Sequence, residues 1–74
     1  MHIIVKLFAT LRNGRFEQDV LHLADGVSVQ HVVDMLSIRS DEAAIIFVNG
    51  RHADPEAPLS DGDTLSIFPP IGGG

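Results

Sequence analysis

The spacing of apolar residues changes from a strand-like to a helical pattern and back again along this 74-residue chain, and few folds accommodate both changes. Residues 2–8 alternate in the manner of a strand that is covered on one face and partly covered on the other. A single helical stripe follows, in which apolar residues recur at i, i+3, i+4 and i+7. Its members are Val29, Val32, Val33 and Leu36. Residues 44–48 and 64–68 return to strand-like patterns, so the chain is predicted to combine one helix with several strands.

A second strand is predicted between the first strand and the helix. An Asn-Gly pair at positions 13–14 indicates a turn in which positive φ is available. The strand is expected over about residues 16–23, with Phe16, Val20 and His22 on one face.

Local signals mark the two ends of the helix. Ser28 is placed to cap its N-terminus, and Val27 and Val32 have the spacing of a hydrophobic staple. The polar segment 39–42 indicates the exit from the helix. Because the helix is rich in β-branched residues, packing rather than intrinsic propensity is expected to stabilise it.

The second half of the chain contains two further turns. Asn49-Gly50 predicts a hairpin turn after a short buried strand. Pro55 and Pro58 restrict segment 51–59 to a loop with at most a short edge strand. Asp61-Gly62-Asp63 indicates the turn before the last strand. The predicted fold class is therefore α+β, with one helix packed across a mixed sheet of four to five strands.

The composition excludes several classes of function. The chain has no cysteine, so it offers no disulfide, no thiolate nucleophile and no cysteine metal ligand. Its net charge of −5 and its lack of Trp and Tyr argue against nucleic acid and anionic membrane as partners. No apolar run approaches the roughly 20 residues that span a bilayer. No basic leader precedes an apolar stretch, so a cytoplasmic location is expected.

The C-terminal segment Phe68-Pro69-Pro70-Ile71-Gly72-Gly73-Gly74 has the most specific pattern in the chain. Each proline restricts φ and lacks an N–H, so the pair is expected to end strand pairing and to project the tail away from the body. Glycine has no Cβ and can enter a channel that is too narrow for other residues. The chain is therefore predicted to consist of a domain over residues 1–68 and a flexible reactive tail over residues 69–74.

Together with this segment, Val48-Asn49-Gly50 and Leu59-Ser60-Asp61-Gly62-Asp63 resemble the MoaD/ThiS family of sulfur carriers. The resemblance covers the whole chain in length and element order. It implies the β-grasp, ubiquitin-like fold. It also implies a carrier protein rather than an enzyme, or the small subunit of a synthase complex.

The resemblance implies a reaction cycle at the terminal carboxylate of Gly74. A ubiquitin-activating-type enzyme adenylates this carboxylate with ATP and Mg²⁺. A sulfurtransferase or cysteine desulfurase supplies sulfur, and a downstream synthase subunit uses the resulting thiocarboxylate. The carrier itself is expected to bind no cofactor, and partner enzymes position its tail for reaction.

The residues that precede Gly74 are expected to contact these partners. Two of them would thread into the partner, namely Gly72 and Gly73. Four would dock on its surface, namely Phe68, Pro69, Pro70 and Ile71. For Phe68, an ordinary position in the core is equally open.

The residues leave more than one function open at this point. The spacer Phe68-Pro69-Pro70 resembles MoaD, the small subunit of molybdopterin synthase, and the molybdopterin or tungstopterin pathway is favoured. The compact length, Gly72 and the short segment 37–43 resemble ThiS, the carrier for thiamine thiazole synthesis. A ubiquitin-like modifier of target lysines and a non-covalent interaction module are two more functions that the same residues allow.

The remaining polar residues indicate no second site. The four histidines lack metal-ligand spacing, so no metal is expected and they are interpreted as solvated. They are His2, His22, His31 and His52. Asp61 and Asp63 flank a turn glycine and are expected to be structural. The four arginines form no block that would favour a phosphate site.

Overall fold

The computed structural model describes residues 1–70, so the contacts predicted for Ile71 and for Gly72, Gly73 and Gly74 lie outside the described residues. Within that range the chain forms five strands and one α-helix. The strands are β1 (His2–Leu7), β2 (Gln18–His22), β3 (Ile45–Val48), β4 (Arg51–His52) and β5 (Thr64–Phe68), and the helix is α1 (Val29–Met35). A 3₁₀ helix at Ala9–Arg12, which was not predicted from the sequence, follows β1. No helix in residues 1–70 has the length and apolar character needed to cross a bilayer.

The five strands form one mixed sheet in the order β2-β1-β5-β3-β4. The central strand, β5, runs parallel to β1 and antiparallel to β3. The strand pairs at the two edges of the sheet, β1–β2 and β3–β4, are antiparallel. This arrangement confirms the predicted α+β class and places the last strand of the chain between two others.

The core lies between α1 and one face of the sheet. Alternate residues of β1 and β5 are fully buried there, and the valine stripe of α1 covers them. These residues are Ile3, Val5, Leu7, Leu65 and Ile67 from the sheet and Val29, Val32 and Val33 from the helix. Because full burial of one such side chain contributes about 1.5–3 kcal/mol, this interface is the main source of stability.

The N-terminus of α1 is held by its cap and by a neighbouring loop. Oγ of Ser28 accepts a hydrogen bond from the backbone N–H of His31 at 3.2 Å, which confirms the predicted cap. The backbone N–H of Val29 donates to the carbonyl oxygen of Ala57 at 3.0 Å. The first turn of the helix therefore has acceptors for N–H groups that the helix itself leaves unpaired.

The C-terminus of α1 is held by Arg15, a residue that no sequence pattern singles out. Its guanidinium donates to the carbonyl oxygen of Leu36 at 3.1 Å and to that of Ser37 at 3.0 Å. It also donates to the carbonyl oxygen of Leu11 at 3.2 Å. A cation at this end of a helix also interacts favourably with the helix dipole.

Strand β2 is shorter than predicted, and only part of the predicted face is formed. Val20 lies opposite Ile4 on the side of the sheet away from the helix, and 47% of it is exposed. Leu21, opposite Ile3, packs against the core instead. Phe16 lies before the strand and reaches the core from the connecting segment. The prediction failed because β2 has one apolar residue on each face, so only its pairing with β1 decides which side is buried.

The turn after β3 has the geometry that its sequence predicts. Asn49 and Gly50 have φ values of 53° and 80°, as a two-residue hairpin turn requires. At the earlier Asn-Gly pair only Gly14 has positive φ, at 70°, whereas φ of Asn13 is −61°. The prediction that β3 is buried was too strong, since within β3 only Ile46 is buried.

Candidate functional site

Three phenylalanines and one histidine gather on the face of the sheet opposite α1, which we call the outer face. The ring of Phe68 stacks on that of Phe8, with centroids 4.1 Å apart and an angle of 11° between the planes. Phe47 meets Phe68 edge-on at 5.7 Å, and His52 lies 4.8 Å from Phe47. We call Phe8, Phe47, Phe68 and His52 the aromatic cluster.

The alternation of the strands places these rings together. Leu65 and Ile67 of β5 point into the core, so Phe68 points to the outer face. Phe8 continues the extended backbone of β1, with φ −120° and ψ 149°, and reaches the same face. Phe47 pairs with Ser66, which also faces outward. All three phenylalanines are half-buried, and Phe68 is not part of the buried core.

Within the aromatic cluster, only Phe68 had been predicted from the sequence to take part in a site. The available signal for Phe8 and Phe47 was their position among outward residues of alternating strands. That signal is weak in one sequence because the pairing that brings the strands together is not local.

The chain leaves the sheet beside the aromatic cluster. On one side, the carbonyl oxygen of Ile67 accepts a hydrogen bond from the backbone N–H of Phe8 at 3.2 Å. On the other side, the carbonyl oxygen of Phe68 accepts one from the backbone N–H of Ala44 at 3.1 Å. Strand β5 ends at Phe68; of the two prolines that follow, Pro69 is half-buried and Pro70 is exposed. The origin of the C-terminal segment is therefore held from both neighbouring strands.

Asp63 holds the start of the same strand, as the structural interpretation predicted. Its Oδ2 accepts a hydrogen bond from the backbone N–H of Ser60 at 2.8 Å. Its Oδ1 accepts a second one from the side-chain amide of Asn49 at 2.9 Å. Gly62, between the two aspartates, has a φ of 84°, which an L-residue rarely adopts.

Asp61 connects this turn to the start of β1. The backbone N–H of His2 donates to its Oδ1 at 2.7 Å, and this hydrogen bond lowers the pKa of Asp61 below its usual range. Nδ1 of His2 lies 3.6 Å from the same oxygen. The His2 ring also contacts that of His22, with centroids 4.3 Å apart. Both aspartates of the Asp-Gly-Asp turn thus bind backbone N–H groups.

A depression of about 210 Å³ adjoins the aromatic cluster at Phe8. Its lining is formed by Lys6, Leu7, Phe8, Arg12, Glu17 and Gln18. The Arg12 guanidinium lies 5.6 Å from the centroid of the Phe8 ring and donates from Nε to the carbonyl oxygen of Leu7 at 2.8 Å. One basic side chain is therefore held against the edge of the cluster.

The described residues do not assemble a metal centre. Within residues 1–70, no three His, Asp or Glu side chains are placed to hold a metal ion. His31 and His52 are exposed on separate elements. What the outer face does offer is an aromatic surface at the exit of the C-terminal segment.

Comparison with known protein families gives one match. The model of the ThiS family matches residues 5–74. A search of curated protein sequences finds no significant match.

Solved structures with the same architecture include a modifier protein and a subunit of a molybdopterin-converting factor. The solution structure of the Haloferax volcanii HVO 2177 protein is 29% identical and has a TM-score of 0.80, over 100% of this chain and 87% of that one. Small archaeal modifier protein 1 of the same organism is 22% identical, with a TM-score of 0.78 over 95% and 98%.

A third match comes from a complex of subunits 1 and 2 of the molybdopterin-converting factor from Helicobacter pylori. It is 25% identical, with a TM-score of 0.66 over 100% of both chains. Together these neighbours confirm the predicted ubiquitin-like β-grasp fold.

Proposed function

Since the chain belongs to the ThiS family, we propose that it is a sulfur carrier whose working group is the terminal carboxylate of Gly74. An oxygen of this carboxylate attacks the α-phosphorus of ATP on a partner enzyme, and pyrophosphate leaves. A sulfur nucleophile at the oxidation level of hydrosulfide then displaces AMP from the acyl carbon. One carboxyl oxygen departs with AMP, and sulfur takes its place as a thiocarboxylate. Mg²⁺ and ATP belong to the activating enzyme.

One structural observation carries most of this proposal. The central strand β5 ends at Phe68, inside the aromatic cluster, and both neighbouring strands hold it there. A partner that covers the cluster would therefore receive the following segment in a defined direction. Such positioning is the main contribution that a carrier without catalytic side chains makes to rate. Gly72 and Gly73 would then thread into the active site of the partner, where the lack of a Cβ matters.

The favoured pathway is molybdopterin or tungstopterin synthesis, with a synthase subunit as the final acceptor. Two facts support this choice. The spacer Phe68-Pro69-Pro70 resembles that of MoaD, and the Helicobacter pylori relative was solved together with subunit 2 of its converting factor. The thiazole pathway is the alternative, because the matching family model is that of ThiS.

The intact mass of the protein tests the proposal. The wild-type chain is incubated with the activating enzyme of its source organism, ATP, Mg²⁺ and a sulfur donor. The expected product has one oxygen replaced by sulfur, and it appears only when ATP is present. A variant that lacks Gly73 and Gly74 is the control, and it should remain unchanged in mass. Unimpaired sulfur incorporation by this truncated variant would contradict the proposal.

The same experiment separates the remaining candidate functions. Adducts of higher mass with other proteins would favour a protein modifier, which shares the activation step. An unchanged mass with several activating enzymes would favour a non-covalent interaction module. The mass of the protein isolated from its own cells shows whether Gly74 is the terminal residue there, which the mechanism requires.

A further inference from the structure

The strands carry no acidic residue on the outer face of the sheet, although the chain as a whole has a net charge of −5. Among the residues of the five strands, Asp19 is the single carboxylate. It lies opposite Val5, on the side of the sheet that faces the core. The outward positions carry Lys6 and three histidines instead. These histidines are His2, His22 and His52. The outer face therefore has no negative side chain on its strands, and its nearest carboxylates lie in the segments that border it.

Lys6 lies on this face near the end of β1, between the edge strand β2 and the central strand β5. It lies between Gln18 of β2 and Ser66 of β5, and it is half-buried. Phe8 follows two positions later on the same side, about 7 Å along the strand. Within residues 1–70, no carboxylate lies within salt-bridge distance of the Lys6 ammonium group. A partly desolvated cation that has no carboxylate partner among these residues is suited to accept one from another molecule.

Arg12 adds a second cation at the same place. Its Nη2 lies 3.6 Å from Oε1 of Glu17, whose side chain is 75% exposed. This distance is too long for a hydrogen bond, and exposed pairs of this kind contribute little. A carboxylate supplied from outside would therefore displace Glu17 from Arg12 at small cost. Lys6, Arg12 and Glu17 all line the depression beside Phe8.

We propose that the adenylating enzyme covers the aromatic cluster with an apolar surface and places an Asp or Glu side chain in the depression, against Lys6 and Arg12. This inference rests on the proposed function, and it specifies the chemistry of the partner surface. The aromatic rings provide an apolar contact area, while the two cations favour a partner surface that is bordered by acidic side chains. The same two charges repel a partner surface that is bordered by basic side chains.

Steady-state adenylation measures this interaction. ATP–pyrophosphate exchange by the activating enzyme is followed at varied carrier concentration, so that KM for the carrier and kcat are separated. The variant Lys6→Gln is compared with Arg51→Gln, which removes the same charge from an exposed strand position opposite Val48, on the other side of the sheet. Lys6→Arg retains the charge. Thermal unfolding of each variant establishes that it is folded.

The expected result is a KM for Lys6→Gln that is about threefold to tenfold above wild type, with kcat unchanged. Arg51→Gln and Lys6→Arg should stay within about twofold. The difference between Lys6→Gln and wild type should also shrink as salt is raised, because salt screens the ion pair. Equal KM values for Lys6→Gln and Arg51→Gln would overturn the inference. An increase in KM for Lys6→Arg as large as that for Lys6→Gln would also overturn it, because KM would then depend on the lysine amine itself and not on its positive charge.

Glu17→Gln tests the part played by Arg12. Removal of the competing carboxylate should lower KM by about twofold or more. Glu56→Gln removes an acidic charge from an exposed loop position and should leave KM unchanged. A KM for Glu17→Gln no lower than that for Glu56→Gln would overturn the assignment of Arg12.

The failure of this inference can be told from the failure of the proposed function. If wild-type protein supports no exchange with the activating enzyme, the proposed function is wrong and the inference falls with it. If wild-type protein is adenylated and the Lys6 and Arg51 variants behave alike, only the inference is wrong.

Discussion

The side-chain amide of Asn49 joins two turns that lie 14 residues apart in the chain. Its Nδ2 donates to Oδ1 of Asp63 at 2.9 Å, and its Oδ1 accepts a hydrogen bond from the backbone N–H of Thr64, also at 2.9 Å. Thr64 is the first residue of β5. The β3–β4 hairpin and the Asp-Gly-Asp turn therefore act together on the strand that leads to the C-terminal segment.

Asn49→Asp should destabilise the fold by about 1–2 kcal/mol. Aspartate tolerates the positive φ of 53° at this position, so backbone strain is unchanged. The substitution replaces the amide donor by an oxygen that repels Asp63. Denaturant unfolding measures the effect, and Asn13→Asp is the matched control in an exposed turn. Equal free energies of unfolding for the two variants would show that the link between the turns contributes nothing.

Because of Asp61, the free energy of unfolding should depend on pH below neutrality. Its pKa is lowered in the folded state by the hydrogen bond from His2, so the unfolded chain takes up the proton first as the pH falls. The stabilisation is fully present above the ordinary aspartate pKa of about 4, and it is lost as the pH falls through the folded-state value. Unfolding of wild type and Asp61→Asn, followed from neutral to strongly acidic pH, checks this. The gap between their stabilities should close at the acidic end, and a constant gap would count against the role of Asp61.

Phe68→Ala should weaken docking on the activating enzyme. Aromatic residues at the centre of an interface often cost more than 1 kcal/mol when truncated, so KM for the carrier should rise about tenfold. Val20→Ala is the control, because Val20 is an exposed apolar residue of the outer face on edge strand β2, away from the cluster. Folded protein is verified by thermal unfolding, since loss of the ring stacked on Phe8 also lowers stability. A similar KM for both variants would remove the aromatic cluster from the docking surface.

Gly73→Val should abolish adenylation without a change in the free energy of unfolding. Valine adds a branched Cβ to a segment that is proposed to enter a narrow channel. Gly73→Ala adds one methyl group and should give an intermediate rate of pyrophosphate exchange. Wild-type rates for the valine variant would show that channel width does not select this residue.

The elements with strong local signals could be predicted from the sequence. The valine stripe, the Ser28 cap and the Asn49-Gly50 turn each depend on residues within a few positions of one another, and the structure contains all three. The exposed and buried sides of β5 followed from its alternation in the same way. Such features are local because helix and turn geometry is determined by neighbouring residues.

The faces of β2 and the role of Arg15 could not be predicted in this way. Val20 and Leu21 are similar in character, and only the pairing of Leu21 with Ile3 turns one of them inward. Arg15 looks like any surface arginine until the fold brings the carbonyl oxygens of Leu36 and Ser37 within reach.

The sequence by itself determined the strand and helix order, the family resemblance and the glycine-rich segment on which the proposed chemistry depends. The tertiary structure alone decided that Phe8 stacks on Phe68 and that Lys6, among the described residues, has no carboxylate within salt-bridge distance. The physical reason is one of range. Periodicity and capping act over a few residues, whereas the composition of a sheet face depends on the order and register of strands that are far apart in the chain.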